Sequence, residues 1–306
     1  MNYRIERDCR IQFPAPVREH HVQVRLAPWE DSAQALVSLD LSVSPDAIPV
    51  ARYDGFGNLS HHFSVLDAHR ALAFKLTAEV ETRLANPFDY EAITPTRERA
   101  WLADSLHQAP RLWDFVYHQG PLTPALPAEI GGQPLPAWRD DIPVLTQVQE
   151  ASAWVHAFTA FDPAAASSVA TLTALFDAGH GTAADLAHLL IAVLRGWNWP
   201  ARFVSGYQDA AYFEPDDEAP PGTKPRPQTL HQWVEALIPG VGWRGFDPAF
   251  ALVADDTYIR VAVGRDAGDV SPIRHTSKGA GETPELIESL SVTRLGDAAS
   301  AQAMGG

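Results

Sequence analysis

The stretch Gly179-His180-Gly181-Thr182-Ala183-Ala184-Asp185-Leu186-Ala187-His188-Leu189-Leu190, continued to Trp197, decides how this chain is read. Thr182 is an N-cap residue, and Asp185 three positions later is its capping-box partner. Ala183 is then the first helical residue. The rest of the helix is apolar on most sides, which predicts that it is buried. Gly179 and Gly181 permit a tight turn just before it and a close approach by a substrate. A nucleophile at position 183 would sit among free backbone N–H groups at the positive helix end. That setting lowers a thiol pKa and holds an oxyanion. The side chain present is a methyl group.

Two downstream segments complete the pattern. His231 opens the alternating strand Gln232-Trp233-Val234-Glu235-Ala236-Leu237, and Asp247 closes the next one in Gly242-Trp243-Arg244-Gly245-Phe246-Asp247-Pro248. A histidine at a strand start can face a cleft as general base. An aspartate on the neighbouring antiparallel strand is placed to orient its ring. The same spacing also suits a capped strand end and a turn aspartate before Pro248.

Outward from this block, residues 1–90 read as short strands: Tyr3-Ile5, Ile11-Phe13, Val22-Leu26, Ala35-Leu41, His62-Leu66 and Leu72-Val80. Asp54-Gly55-Phe56-Gly57-Asn58 is a turn between two of them, and the spacing suggests a β-sandwich. Residues 91–145 form a connector with one helix near 96–102 and a Pro- and Gly-rich run. From Val144 the period becomes helical, with Val144, Val148, Ala151, Trp154, Val155 and Phe158 on one face. A second helix is expected over 169–176, then the central helix, then strands at 201–207, 232–238, 243–247 and 258–263. The expected domains are thus 1–90, 91–145 and a core over 146–295, with a disordered tail at 296–306. Residues 209–229, acidic and rich in proline, read as a mobile loop over the strand ends. The fold class is α+β: an N-terminal antiparallel β-sandwich, then a core with a buried helix on an antiparallel sheet.

Composition narrows the function classes. The 306 residues carry a formal net charge of −15 and are 46% hydrophobic and 20% charged. Acidity of this size argues against nucleic acid and against anionic membranes. No apolar run is long enough to span a bilayer. The single cysteine, Cys9, rules out an internal disulfide. The charged N-terminus lacks the pattern of a signal peptide, so the expectation is a cytoplasmic protein.

The block from Phe158 to Pro248 resembles the transglutaminase-like superfamily, in particular its bacterial cysteine-protease-like members. Those carry Gly-Val-Cys-Gln-Asp-Phe-Ala-His at the helix start, against Gly181 to His188 here. Their Pro-Ala-Arg-Tyr-Val-Ser-Gly-Tyr corresponds to Pro200 through Tyr207, His-Ala-Trp-Val to His231 through Val234, and Gly-Trp-x-x-Phe-Asp-Pro to Gly242 through Pro248. Ile259 to Asp266 and Asp269 to Pro272 are similar to the family's C-terminal segment. Tyr3-Arg4-Ile5, Phe13 to Val17 and Asp54 to Asn58 are similar to the β domain that precedes its core.

The resemblance implies a papain-like core, with His231 as base, Asp247 as its orienter and the nucleophile's place at Ala183. Gly181, Thr182, Ala184, Asp185, His188 and Trp233 would support the cleft. This chain departs from the family at Ala183 (Cys), Ala184 (Gln), Leu186 (Phe), Ala249 (Thr) and Ala267 (Tyr). The clustering of these losses reads as natural decay more than as a single engineered replacement. Thr182, Ser205 and Cys9 are poor substitute nucleophiles. His180, His188 and His231 with Asp185 or Asp247 are the right types for a metal but lack a known ligand spacing, so no cofactor is expected. Two functions stand. The first is an inactive member that binds a peptide or protein at the former acyl-transfer cleft. The second is a peptidase or amidase that uses His231 and Asp247 to activate water or a metal-bound hydroxide. A variant of a true thiol peptidase or transferase is a weaker third.

Overall fold

The computed structural model describes residues 1–163, 165, 171–209, 230–279 and 283–296. Apart from their end residues Asp209 and Gly296, the loop expected over 209–229 and the tail expected over 296–306 lie outside these. The chain runs β1 (Asn2–Val24), β2 (Gln34–Ser44), β3 (Val50–Tyr53), β4 (Leu59–Val65) and β5 (His69–Thr82), then α1 (Pro95–Gln108) and the short α2 (Trp113–Tyr117). A two-residue hairpin, β6 (Glu129–Ile130) and β7 (Gln133–Pro134), turns at Gly131 and Gly132, both at positive φ, inside the expected connector. Next come α3 (Val144–Phe158), β8 (Ala160–Phe161), α4 (Leu172–Ala178), β9 (His180–Gly181) and α5 (Ala183–Gly196). The remainder is strand: β10 (Ala201–Gln208), β11 (His231–Ile238), β12 (Gly242–Asp247), β13 (Leu252–Val253), β14 (Tyr258–Gly264), β15 (Ile273–Gly279) and β16 (Glu285–Leu295).

The first strand organises the N-terminal region. Tyr3, Ile5, Arg7, Cys9 and Ile11 alternate inward, so one face is buried. Two separate strands ending at the prolines were expected, yet β1 runs through Pro14 and Pro16. Its pairing with β5 and with β16 stops at Gln12 and resumes at Val17 against β5 and β15. Both prolines therefore fall where no ladder donor is needed. Beyond them is a bulge, with Glu19 at φ 46°, which bends the strand. Along one edge β1 meets β5 and then β4; along the other, β16 and then β15. The result is one curled antiparallel sheet of seven strands. The chain's last two strands thus return to its first. Burial could not reveal β16, because Val292 alone among its residues is buried.

The core sheet has the order β13-β12-β11-β10-β14. Phe203, Val234, Ala236 and Phe246 pack with the apolar residues of α5 in one hydrophobic cluster. Strand β14 is an edge, and its free backbone groups are closed by side chains from the N-terminal sheet. The Asn58 amide donates to the Val263 carbonyl and accepts from its N–H, both at 2.8 Å. Gln34 does the same at Arg260, both at 2.9 Å. An edge strand is in this way sealed by two amides.

Three imidazoles tie the curled sheet together. His69 donates through Nδ1 to the Asp67 carbonyl, its Nε2 lies 3.1 Å from His20 Nδ1, and His20 Nε2 lies 3.3 Å from His275 Nδ1. The carbonyl makes His69 Nδ1 a donor, which leaves its Nε2 able to accept from His20 Nδ1 and His20 Nε2 able to accept from His275 Nδ1. His20 is fully buried against Phe13. Burial first, then His275, His69 and His21, pull its pKa down to about 4. The unfolded chain takes this proton near pH 6.5, so stability is full above that value and falls as pH drops toward 4. The loss reaches at most about 3 kcal/mol. Urea midpoints at pH 7.5 and pH 5 are expected to differ in this sense, and His20→Leu to flatten the slope.

Candidate functional site

The helix start is built as its residues dictate. Thr182 takes an extended backbone, and its N–H and hydroxyl donate to Asp185 Oδ2 at 2.9 and 2.7 Å. The Asp185 N–H returns to the Thr182 hydroxyl at 3.4 Å. This complete capping box occupies the hydroxyl, so Thr182 is not placed as a nucleophile. Gly181 makes room for it: a Cβ there would stand 2.5 Å from Leu175 Cδ1 and 3.0 Å from Asp185 Cβ. Ala183 and Ala184 come next, both buried, and their N–H groups have no intrahelical acceptor.

The second half lies on the sheet. His231 Nε2 donates to Asp247 Oδ2 at 2.7 Å. Asp247 is wholly buried; its Oδ2 also accepts from the Tyr258 hydroxyl at 2.8 Å and Gln208 Nε2 at 3.5 Å, and Oδ1 accepts from the Ala249 N–H at 2.9 Å. With the proton on Nε2, the His231 Nδ1 presents a lone pair. That atom has no hydrogen-bond partner among the described residues. This is the tautomer of a general base held by an acceptor. Phe250 stacks on His231 with centroids 5.3 Å apart and meets Phe161 edge-on at 5.4 Å. Phe161 pairs with Gly181 in the β8–β9 bridge. A ring stack thus joins the histidine to the turn that precedes Ala183.

Trp233 anchors the dyad from behind. It lies 6.3 Å from His231 at 20° and meets Tyr258 edge-on at 5.3 Å. Two glycines flank it. A Cβ on Gly206 would stand 2.2 Å from the Ile259 carbonyl oxygen and 2.5 Å from the indole, and one on Gly245 would stand 3.1 Å from the indole nitrogen. Gly206→Ala is therefore expected to cost about 2–4 kcal/mol by overpacking against backbone, read as a shift in the urea midpoint.

The remaining expected residues have other occupations. His188 is fully buried on Phe203, and its Nε2 accepts from the Ala267 N–H at 3.1 Å. Burial holds its pKa down near 4, so it is a neutral latch for the loop after β14. His180 Nδ1 stands 3.6 Å from Asp162. The residues weighed as metal ligands thus serve different partners, and among the described residues no group of three such side chains converges. Ser205 lies inside β10, and Cys9 is buried in the other sheet.

Sequence reading missed three residues. Tyr258 and Gln208 complete the Asp247 environment, and Arg195 at the end of α5 donates to four backbone carbonyls on three segments. Arg195 is one polar side chain at the end of an apolar helix, and Gln208 and Tyr258 sit at strand ends near acidic residues, so periodicity gives no sign of their partners. Ala249 and Ala267, where the resemblance places Thr and Tyr, still supply backbone N–H groups to Asp247 and His188. Such bonds survive the loss of a side chain.

Residues 137–248 match the transglutaminase-like superfamily, and residues 3–81 match the bacterial transglutaminase-like N-terminal region. An uncharacterised protein of Mycobacterium leprae is 36% identical over 115 residues, a match spanning 38% of this chain and 38% of that relative. An uncharacterised protein of Mycobacterium tuberculosis is 25% identical over 285 residues, covering 89% of this chain and 86% of the relative. Among solved structures, a "putative cysteine protease" from Cytophaga hutchinsonii superposes with a TM-score of 0.60 at 17% identity, over 97% of this chain and 92% of that one. That likeness is one of fold.

Proposed function

The core of this chain belongs to the transglutaminase-like superfamily, and from that premise we propose that the protein is a catalytically inactive member whose former acyl-transfer cleft binds a peptide or protein. One observation carries this reading. A buried His231–Asp247 pair is held at 2.7 Å, while the first residue of the helix that would bear the thiol is Ala183. A methyl group forms neither a thiolate nor an acyl-enzyme. The features that support binding are independent of the thiol: the unpaired N–H groups at the helix start, the Nδ1 lone pair and the Phe161–Phe250 wall. The test pairs the native protein with Ala183→Cys, both assayed for amide hydrolysis and for amine incorporation into a glutamine peptide. Native protein that binds such a peptide without turnover supports the proposal, and native turnover overturns it.

A second reading rests on the same dyad. With Nε2 tied to Asp247, the Nδ1 of His231 is positioned to take a proton from water, as an amidase would require. Turnover by the native protein that disappears in His231→Ala would establish this reading in place of the first.

A further inference from the structure

Behind the dyad, on the face of the core sheet that carries Trp233, lies a partly enclosed cavity of about 230 Å³. It opens between the core sheet and the Asp31–Gln34 segment of the N-terminal region. Its wall carries three guanidiniums, Arg202, Arg244 and Arg260, beside Trp233 and Trp243.

The hydrogen-bond inventory of this wall is lopsided. Every carboxylate is engaged. Glu235 accepts from Arg202 at 2.7 Å and pairs with Arg260 at 3.3 Å. Asp31 holds Arg260 and the Ala33 N–H, Asp255 holds Thr257, and Asp256 stands 3.8 Å from the N-terminal amine. Several donors have no acceptor among the described residues. These are Arg202 Nη1, Arg244 Nη2, the Trp233 indole N–H and Arg260 Nε, the last being fully buried. Among the described residues no carboxylate lies within ion-pair distance of Arg244; it donates to the carbonyls of Pro87, Val241 and Trp243. The Arg202 guanidinium lies 4.2 Å over the Trp243 ring, which fixes its plane. Unpaired donors in a half-closed space call for an acceptor.

We propose that this cavity is a binding site for a small carboxylate. The free Arg202 Nη1 and Arg244 Nη2 can each donate a charge-assisted hydrogen bond to a carboxylate, and the aromatic walls suit its apolar remainder. The volume is below the ~300–1,000 Å³ of ordinary ligand clefts, so the ligand is small. Burial pulls the pKa of both arginines down from the usual range, a desolvation that a bound anion relieves. Trp233 and Tyr258 line the cavity and also touch His231 and Asp247, so occupancy would be felt at the dyad. The proposal does not depend on whether the acyl site is active.

The test is a titration at constant ionic strength with glutarate, benzoate and inorganic phosphate, monitored by calorimetry and tryptophan fluorescence. Saturable binding of glutarate or benzoate is expected, weakened about tenfold or more in Arg244→Gln and partly recovered in Arg244→Lys. Arg244 is half-exposed, and the melting temperature of each free variant checks that it is folded. The proposal is overturned if neither carboxylate saturates below roughly 50 mM, if Arg244→Gln binds as tightly as the native protein, or if phosphate alone binds.

Discussion

Ala183→Cys is expected to react with iodoacetamide at pH 6, where the native protein does not. The native background is small. Cys9 is buried, and that burial pushes its thiol up to about 11, so only about one molecule in 10⁵ carries a thiolate at pH 6. A thiol at position 183 would meet the helix N-terminus and, if the site keeps the arrangement that the family resemblance implies, the His231 imidazole, a setting that brings such groups to a pKa of roughly 5. Its thiolate fraction at pH 6 would then exceed that of an ordinary thiol about 300-fold. Lower basicity takes back part of this, about 40-fold at a Brønsted slope near 0.45, leaving a net gain of about tenfold over a free cysteine. Adding His231→Ala should remove that gain and move the labelling profile toward the profile of an ordinary thiol. Turnover of a glutamine peptide by the single variant, absent from the native protein, would mean that methyl for thiol is the one catalytic deficit. A variant that labels no faster than free cysteine would mean that the departures at Ala184, Leu186, Ala249 and Ala267 have moved the site from productive geometry.

The range of the forces involved decides which parts of this molecule were legible in the sequence. Thr182 and Asp185 were readable as a cap because the capping box is closed within four residues. The strands carrying His231 and Asp247 were readable as short, largely apolar runs bounded by turn residues, although β11 is buried on both faces. The path of β1 through Pro14 and Pro16 was not, since it depends on the non-local partners β5 and β16, which leave a gap in both ladders. Strand β16 escaped for a related reason: backbone pairing holds it, and exposed side chains carry no period. The seal on β14 by Asn58 and Gln34 was hidden because Asn58 already had a local explanation as a turn residue. Its side chain serves both, donating to Asp54 in the turn and closing the distant edge at Val263.

The largest stability effect is expected at Arg195. This buried guanidinium donates to the carbonyls of Phe115, His118, Ala201 and Arg265 and to the Thr123 hydroxyl, at 2.7 to 3.1 Å. One side chain thus binds the end of α5 to the connector, to the first residue of β10 and to the loop that His188 latches through Ala267. Burial lowers its pKa to about 10, so it is charged at neutral pH and no stability change with pH arises from it there. Arg195→Met keeps the length and the apolar stem but leaves five acceptors without their donor. The cost of such orphaned groups is about 3–5 kcal/mol, a large share of the roughly 5–15 kcal/mol that holds a domain folded. At about 2 °C per kcal/mol for a chain of this size, the melting temperature should fall by about 6–10 °C. Arg195→Lys, a point charge with three donors, should recover only part of this. Urea unfolding gives the free energy, and limited proteolysis should show cleavage appearing first within residues 113–123, which lose three of the five bonds. A Met variant within about 1 kcal/mol of the native protein would mean that the connector is held by its apolar contacts, Phe115 and Val116 among them, and that the arginine only fills space.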